Sequence, residues 1–172
     1  CLICINSDTR QLISDKFIAF IEETRQQYSL LAQLISFEIT EVCKIHDEVK
    51  AQAMLAKLRQ YGFSISIDDF GTGFAAMQYL IKYPIDVLKI DRLFITDILQ
   101  DTKKQVIVKS VIEMAHSLSM QALSEGVSNR EEIEYLRSLG CDLIQGFGFG
   151  VPMSSKDASK WLKANYKPNY LL

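Results

Sequence analysis

Apolar and polar positions along the chain alternate between two kinds of stretch. Short apolar runs, several rich in β-branched residues, stand at 2–5, 35–39, 64–67, 87–90, 121–124 and 143–145, and their length and composition predict strands. Between them apolar residues recur at helical spacing. Phe17, Phe20, Ile21, Thr24 and Tyr28 form one largely apolar stripe, and Met54, Leu55, Leu58 and Tyr61 form a second. A third comprises Ile107, Val108, Val111, Ala115 and Leu118, and a fourth Ile133, Leu136 and Leu139. The fourth helix is expected to open on a capping box from Ser128 to Glu131 and to stop at Gly140, as Gly62 stops the second. A final amphipathic piece begins near Ser154 and carries Trp161.

Strands that alternate with helices predict an α/β fold with a parallel sheet and helices on its outside. The chain has no low-complexity tract or Pro/Gly-rich hinge, and Pro84, Pro152 and Pro168 each stand beside an element boundary. Residues 1–172 therefore read as one domain. Each apolar run finishes in a polar group: Asn6, Glu38, the pair Asp68 and Asp69, Lys89 with Asp91, Glu125, and Gln145. A (β/α) barrel builds its site from the C-terminal ends of many strands, whereas a doubly wound sheet gathers ligand groups at one switch point. The mean spacing from Asn6 to Gln145 is about 28 residues, close to the roughly 31 of an eight-unit barrel. Both features predict a TIM-like (β/α) barrel.

Composition narrows the function. At 172 residues, 48% hydrophobic and 23% charged, the chain can bury a substantial core. Its 19 basic and 21 acidic residues give a net charge of −2, which argues against a general DNA or RNA binder. No apolar run approaches the ~18 residues of a membrane span, so a protein without a membrane segment, located in the cytoplasm, is expected. Cys1, Cys4, Cys43 and Cys141 are scattered and are expected to be reduced. Cys1 and Cys4 form a C-x-x-C, but no second pair accompanies them, and strand geometry points residues three apart to opposite faces.

Asp68 and Asp69, directly after an apolar run, would repel each other at a poorly solvated strand end unless a cation or proton intervened. Oxygen ligands without His or Cys companions suit Mg²⁺ or Mn²⁺ better than Zn²⁺, and His46 and His116 are not at ligand spacing. Paired divalent ions bridged by carboxylates serve in-line displacement at phosphorus, which makes phosphoester hydrolysis the natural chemistry. Lys89 would then hold the attacking water or offset phosphate charge, and Glu125 would complete a metal shell or act as a base. A rival reading takes Gly71-Thr72-Gly73-Phe74-Ala75-Ala76 as a G-x-G-x-x-A dinucleotide loop, although Asp68 and Asp69 would oppose an anion there.

Asp68-Asp69-Phe70-Gly71-Thr72-Gly73, Tyr79-Leu80, Pro84-Ile85-Asp86 and Leu88-Lys89-Ile90-Asp91 together resemble the EAL-domain cyclic di-GMP phosphodiesterases. So do Phe37-Glu38-Ile39-Thr40-Glu41, Ser124-Glu125-Gly126-Val127, Gly140-Cys141-Asp142 and Gln145-Gly146-Phe147, in the family's order and spacing. The resemblance implies a modified (β/α)₈ barrel that hydrolyses cyclic di-GMP to linear pGpG with two Mg²⁺ or Mn²⁺ ions. By motif, Asn6, Glu38, Asp68, Asp69 and Glu125 would be metal ligands or hold metal-bound water, and Lys89 would support the attacking water. Gln145 would belong to the site floor, Asp91 would support substrate or loop, and Glu41 would brace the loop after Asp69. Residues 74–80, from Phe74 to Leu80, resemble the segment through which the family often dimerises, so a homodimer is expected.

Some features depart from the family. The Glu-Ala-Leu motif, whose Glu is a metal ligand, is absent and is expected on a strand preceding residues 2–5. The first one or two βα units of the barrel are therefore expected upstream, with the chain as the C-terminal two thirds of a domain that is incomplete alone. An edge left open by missing strands would favour self-association. Ser128 stands where the family usually has a second Glu, and Gly150-Val151 replaces a small-basic pair before Pro152. The alternative to a phosphodiesterase is an inactive EAL-like domain that acts as a cyclic di-GMP receptor or protein-interaction module.

Overall fold

The computed structural model describes residues 2–8, 11, 13–28, 32–40, 47–71 and 76–165. The elements run β1 (Ile3–Asn6), α1 (Asp15–Tyr28), a 3₁₀ turn (Ala32–Leu34), β2 (Ile35–Thr40), α2 (Glu48–Gln60), β3 (Ser64–Phe70) and α3 (Ala76–Lys82). They continue with β4 (Val87–Ile90), α4 (Arg92–Ile95), α5 (Thr102–Ser117), β5 (Gln121–Ser124), α6 (Arg130–Ser138), β6 (Leu143–Ile144) and α7 (Ser155–Asn165). All neighbouring strands pair in parallel, and their spatial order is their chain order, β1-β2-β3-β4-β5-β6. A doubly wound sheet would reverse direction at a switch point. This one winds steadily one way, as a barrel does, and so excludes the dinucleotide-fold reading; residues 72–75 of that proposed loop lie outside the described residues. The result is a TIM-like half-barrel, a barrel missing units, and no helix among the described residues is long and apolar enough to cross a membrane.

The period of two along each strand sorts the side chains. In β2, Ile35, Phe37 and Ile39 face the helices, where Phe37 meets Phe17 of α1 and Phe63 edge-on at centroid distances of 5.7 and 5.2 Å. Leu55 and Leu58 from α2, Ile65 and Ile67 from β3, and Leu88 and Ile90 from β4 are completely buried in the same layer. The opposite set, Ser36, Glu38, Ser66, Asp68 and Lys89, faces the barrel interior, and the Ser36 and Ser66 hydroxyls hydrogen-bond each other across β2 and β3. On β1 the helix-facing Ile3 and Ile5 are exposed. An open apolar cavity of about 700 Å³ lies between Leu2 and Cys4 on the β1 side and Leu143 and Trp161 on the other.

One fastening device occurs twice at the N-terminal ends of the strands. Asp86, just before β4, accepts from the Ile65 amide of β3 at 2.9 Å and pairs with Arg59 of α2 at 2.8 Å. Asp142, just before β6, accepts from the Ala122 amide of β5 at 2.8 Å and lies 2.8 Å from His116 Nε2 of α5. Each Asp ties its own strand to the preceding one and to the helix before that.

Three local features differ from the sequence-based expectations. The N-cap of α6 is Asn129, whose side chain accepts from the Glu132 amide, so the capping box lies one residue later than Ser128–Glu131. Strand β3 runs on through Asp68 and Asp69 to Phe70, because its ladder with β4 resumes after a bulge between Ile67 and Phe70. The short helix α4 has too few residues to display periodicity and rests on Asp91 as its N-cap. Gly62 and Gly140 follow α2 and α6 with positive φ, as the stop signals predict. Replacing Phe37 with alanine removes a ring packed on two others, and an unfolding free energy lower by about 3–5 kcal/mol is expected in chemical denaturation.

Candidate metal centre

The C-terminal strand ends bring three carboxylates onto one ammonium. Lys89, in the middle of β4 and 2% exposed, lies 2.6 Å from Glu38 of β2, 2.8 Å from Asp68 of β3 and 2.5 Å from Glu125 just after β5. Parallel register explains the convergence. Thr40 pairs with Asp68, Ser66 with Val87 and Lys89 with Leu123, so inward positions of adjacent strands lie at similar height. One oxygen from each carboxylate lies within 4.8 Å of the others.

The bulge in β3 gives the consecutive aspartates their placement. In a regular strand Asp68 and Asp69 would point to opposite faces. Asp69 instead adopts φ 55°, a left-handed conformation tolerated by Asp, and its amide donates to Asp68 Oδ1 at 3.1 Å. Phe70 is thereby returned to the core at 4% exposure, and the Asp69 carboxyl meets that of Asp91. Asp91 also accepts from the Leu93 amide at 2.6 Å as the N-cap of α4.

Burial and charge shift the titrations in consistent directions. Burial would depress the Lys89 ammonium, but hydrogen bonds to Asp68, Glu125 and Glu38 outweigh it and hold the pKa above the ordinary lysine value. Burial raises Glu125, and Lys89 offsets this only in part because Asp68 and Glu38 add like charge. Asp69 is raised by burial, then by the Asp68 charge and its contact with Asp91. One cation shared among several carboxylates stays charged while these two carboxylates are pushed toward accepting protons.

The residues fit a divalent cation. Glu38 is 5% exposed, and its Oε1 lies 2.6 Å from the Lys89 ammonium. A buried carboxylate that shares one ammonium with two others, inside an all-oxygen donor set, suits a hard ion such as Mg²⁺ or Mn²⁺. Asn6 ends β1 opposite Glu38 in the register. Gln145 follows β6 with its side chain exposed, and its carbonyl accepts from the Val127 amide at 3.1 Å. Glu41 and residues 74–75 of the expected dimer segment lie outside the described residues, as do Cys1, Cys43 and His46.

Cys4 was not among the candidate site residues, although alternation from Asn6 places it on the inner face. Its thiol hydrogen-bonds Glu38, and burial, then that hydrogen bond and the Glu38 charge, push its pKa up to about 12. It is held as a protonated thiol beside that carboxylate. Cys4 and Cys141 are both free.

A parallel half-barrel with an acidic cluster at the C-terminal ends of its strands defines a barrel protein equipped for divalent-metal chemistry. The chain belongs to the EAL domain family, which it matches over residues 1–152. It is 34% identical over 150 residues to the cyclic di-GMP phosphodiesterase PdeB of Shewanella oneidensis, covering 87% of this chain and 18% of PdeB. The EAL enzyme Bd1971, in a form with cAMP and cyclic di-GMP bound, superposes with a TM-score of 0.84 at 37% identity, over 95% of this chain and 42% of that one. BlrP1 of Klebsiella pneumoniae, in complex with manganese and cyclic di-GMP, gives 0.78 at 30% identity over 88% of this chain and 39% of its own. The chain spans about a fifth of the length of the curated relatives it matches.

Protons and metal compete for the raised carboxyl groups. Mn²⁺ affinity is expected to fall as pH is lowered from neutrality through the raised pKa values of these groups, read by calorimetric titration. Stability without metal follows the opposite trend for these groups. The folded state holds their protons more tightly than the unfolded chain, so the penalty from Asp69 and Glu125 is full at neutral pH and is relieved as pH falls through their raised pKa values toward ordinary carboxylate values.

Proposed function

We propose that this chain carries the site of a metal-dependent cyclic di-GMP phosphodiesterase that opens one phosphodiester bond to give linear pGpG with two Mg²⁺ or Mn²⁺ ions. The observation that carries this reading is the convergence of Glu38, Asp68 and Glu125 on buried Lys89, three carboxylates around one ammonium. The family membership and the cyclic di-GMP named for its relatives support the substrate. In this reading residues 1–172 form one partial EAL domain that works in the cytoplasm.

Glu38, Asp68 and Glu125, with Asn6 and Asp69 at the rim, would hold the ions. Bound divalent ions would neutralise the phosphate and acidify a water. Lys89 keeps its proton, so its part is electrostatic: it holds positive charge beside the phosphate oxygens and donates to the attacking water's oxygen. Glu125 would take the proton released as the water oxygen bonds to phosphorus. The P–O3′ bond breaks, the 3′-oxygen leaves and gains a proton, and the phosphate stays on the 5′ side as pGpG requires. Gln145 would line the floor, Asp91 would steady Asp69, and Glu41 would brace the loop that follows. The same reading includes a homodimer, for which α3 offers Met77 and Ile81 at 55% and 87% exposure.

The test is turnover of cyclic di-GMP to pGpG by the intact protein with Mn²⁺. Lys89→Met is expected to lower kcat by about 10²–10³, and Asp68→Asn to abolish Mn²⁺-dependent turnover. Nucleotide binding without turnover, unaffected by Asp68→Asn, would replace this reading with that of a receptor module.

A further inference from the structure

Glu132 is a buried carboxylate outside the metal cluster, 6% exposed, on the first turn of α6. Among the described residues no cation pairs with it. Its Oε2 instead accepts from both the amide and the hydroxyl of Ser128, at 2.7 and 3.0 Å, and its own amide donates to the N-cap Asn129 at 2.9 Å. The helix N-terminus further favours its negative charge. A carboxyl group at this depth is costly to bury without hydrogen-bond partners, and Ser128 supplies them.

Ser128 ends the short loop that begins with Glu125. That loop is fastened along its length. Glu125 N donates to Ile90 O of β4 at 3.1 Å, Val127 N to Gln145 O at 3.1 Å, and Gly148 N to Val127 O at 2.9 Å. Gly126, at φ +70°, lies beneath the Arg92 stem, and Gly146 approaches Val127 so closely that an added Cβ would stand 2.1 Å from its carbonyl oxygen. Glu125 is therefore anchored by β4 on one side and by the segment after β6 on another, while at the loop's far end Ser128 is held by two hydrogen bonds to Glu132 and a longer one, 3.4 Å, from Asn129 Nδ2.

We propose that Glu132 is a positioning residue that holds Glu125 at metal-binding distance by clamping Ser128. The proposal rests on the reading of Glu125 as a metal ligand. Outer partners that orient metal ligands typically contribute about 10–100-fold to metal affinity, and Glu132 would act over three residues of tightly bonded loop.

The experiment is calorimetric Mn²⁺ titration of the intact protein, which needs no turnover. Glu132→Ala is expected to weaken Mn²⁺ binding by roughly 10–100-fold. Glu132→Gln, whose amide oxygen still accepts from Ser128, should recover most of the loss, and Glu134→Ala, an exposed carboxylate on the same helix, should bind as wild type. Wild-type affinity in Glu132→Ala overturns the proposal. So does a Glu132→Gln as weak as the alanine variant, because the effect would then be one of charge. Should Glu132→Ala not fold, Ser128→Ala deletes one of the two hydrogen bonds: a several-fold weaker affinity supports the clamp and an unchanged one overturns it. A wild-type protein that binds no Mn²⁺ would instead defeat the metal-site reading and this proposal with it.

Discussion

The ammonium of Lys89 is the interaction on which the site depends. Glu38, Asp68 and Glu125 arrive from three strands, each with charge that cannot be left alone at this depth. A single cation 2.5–2.8 Å from all three makes their approach tolerable, but one positive charge does not balance three negative ones. The remainder appears in the raised Glu125 and Asp69. A further cation is what the arrangement lacks electrostatically, and this is the physical link between the fold and metal chemistry.

Backbone geometry delivers those charges. Parallel strands in chain order put equivalent inward positions at one level, and a one-residue bulge in β3 lets two consecutive aspartates act on the same end of the sheet. The bulge also returns Phe70 to the core, so the charged pair costs no apolar packing. At the opposite end, Asp86 and Asp142 each bind a preceding strand's amide and a cationic or imidazole side chain, a repeated fastening that keeps neighbouring strands in register. Similar residues thus fasten strands at one end and gather around one ammonium at the other. The difference is whether each carboxylate meets its own donors or shares a donor with its neighbours.

Much of this was legible in the order of residues. Strand and helix alternation follows from hydrophobic periods that local geometry enforces, and polar groups closing successive apolar runs pointed to one end of a barrel. The motif set pointed to the EAL family, to which the chain belongs. Glu38, Asp68, Lys89 and Glu125 could be named as site residues because each closes or nearly closes an apolar run. Asp91, expected to support substrate or loop, caps α4 and meets Asp69.

What only the tertiary structure decided depends on distances between segments far apart in the chain. Residue order could not say that one lysine would sit among three carboxylates, that Cys4 would press its thiol on Glu38, or that Glu132 rather than Glu131 would face Ser128. A one-residue change in a helix cap or a bulge redirects a side chain by a large angle while leaving hydrophobic periodicity almost untouched. Sequence alone therefore determined the element order, the family and the end of the sheet where the carboxylates gather. The register of strands, the bulge at Asp68 and Asp69 and the sharing of one ammonium were set by packing, because they depend on which inward positions meet when the sheet curves.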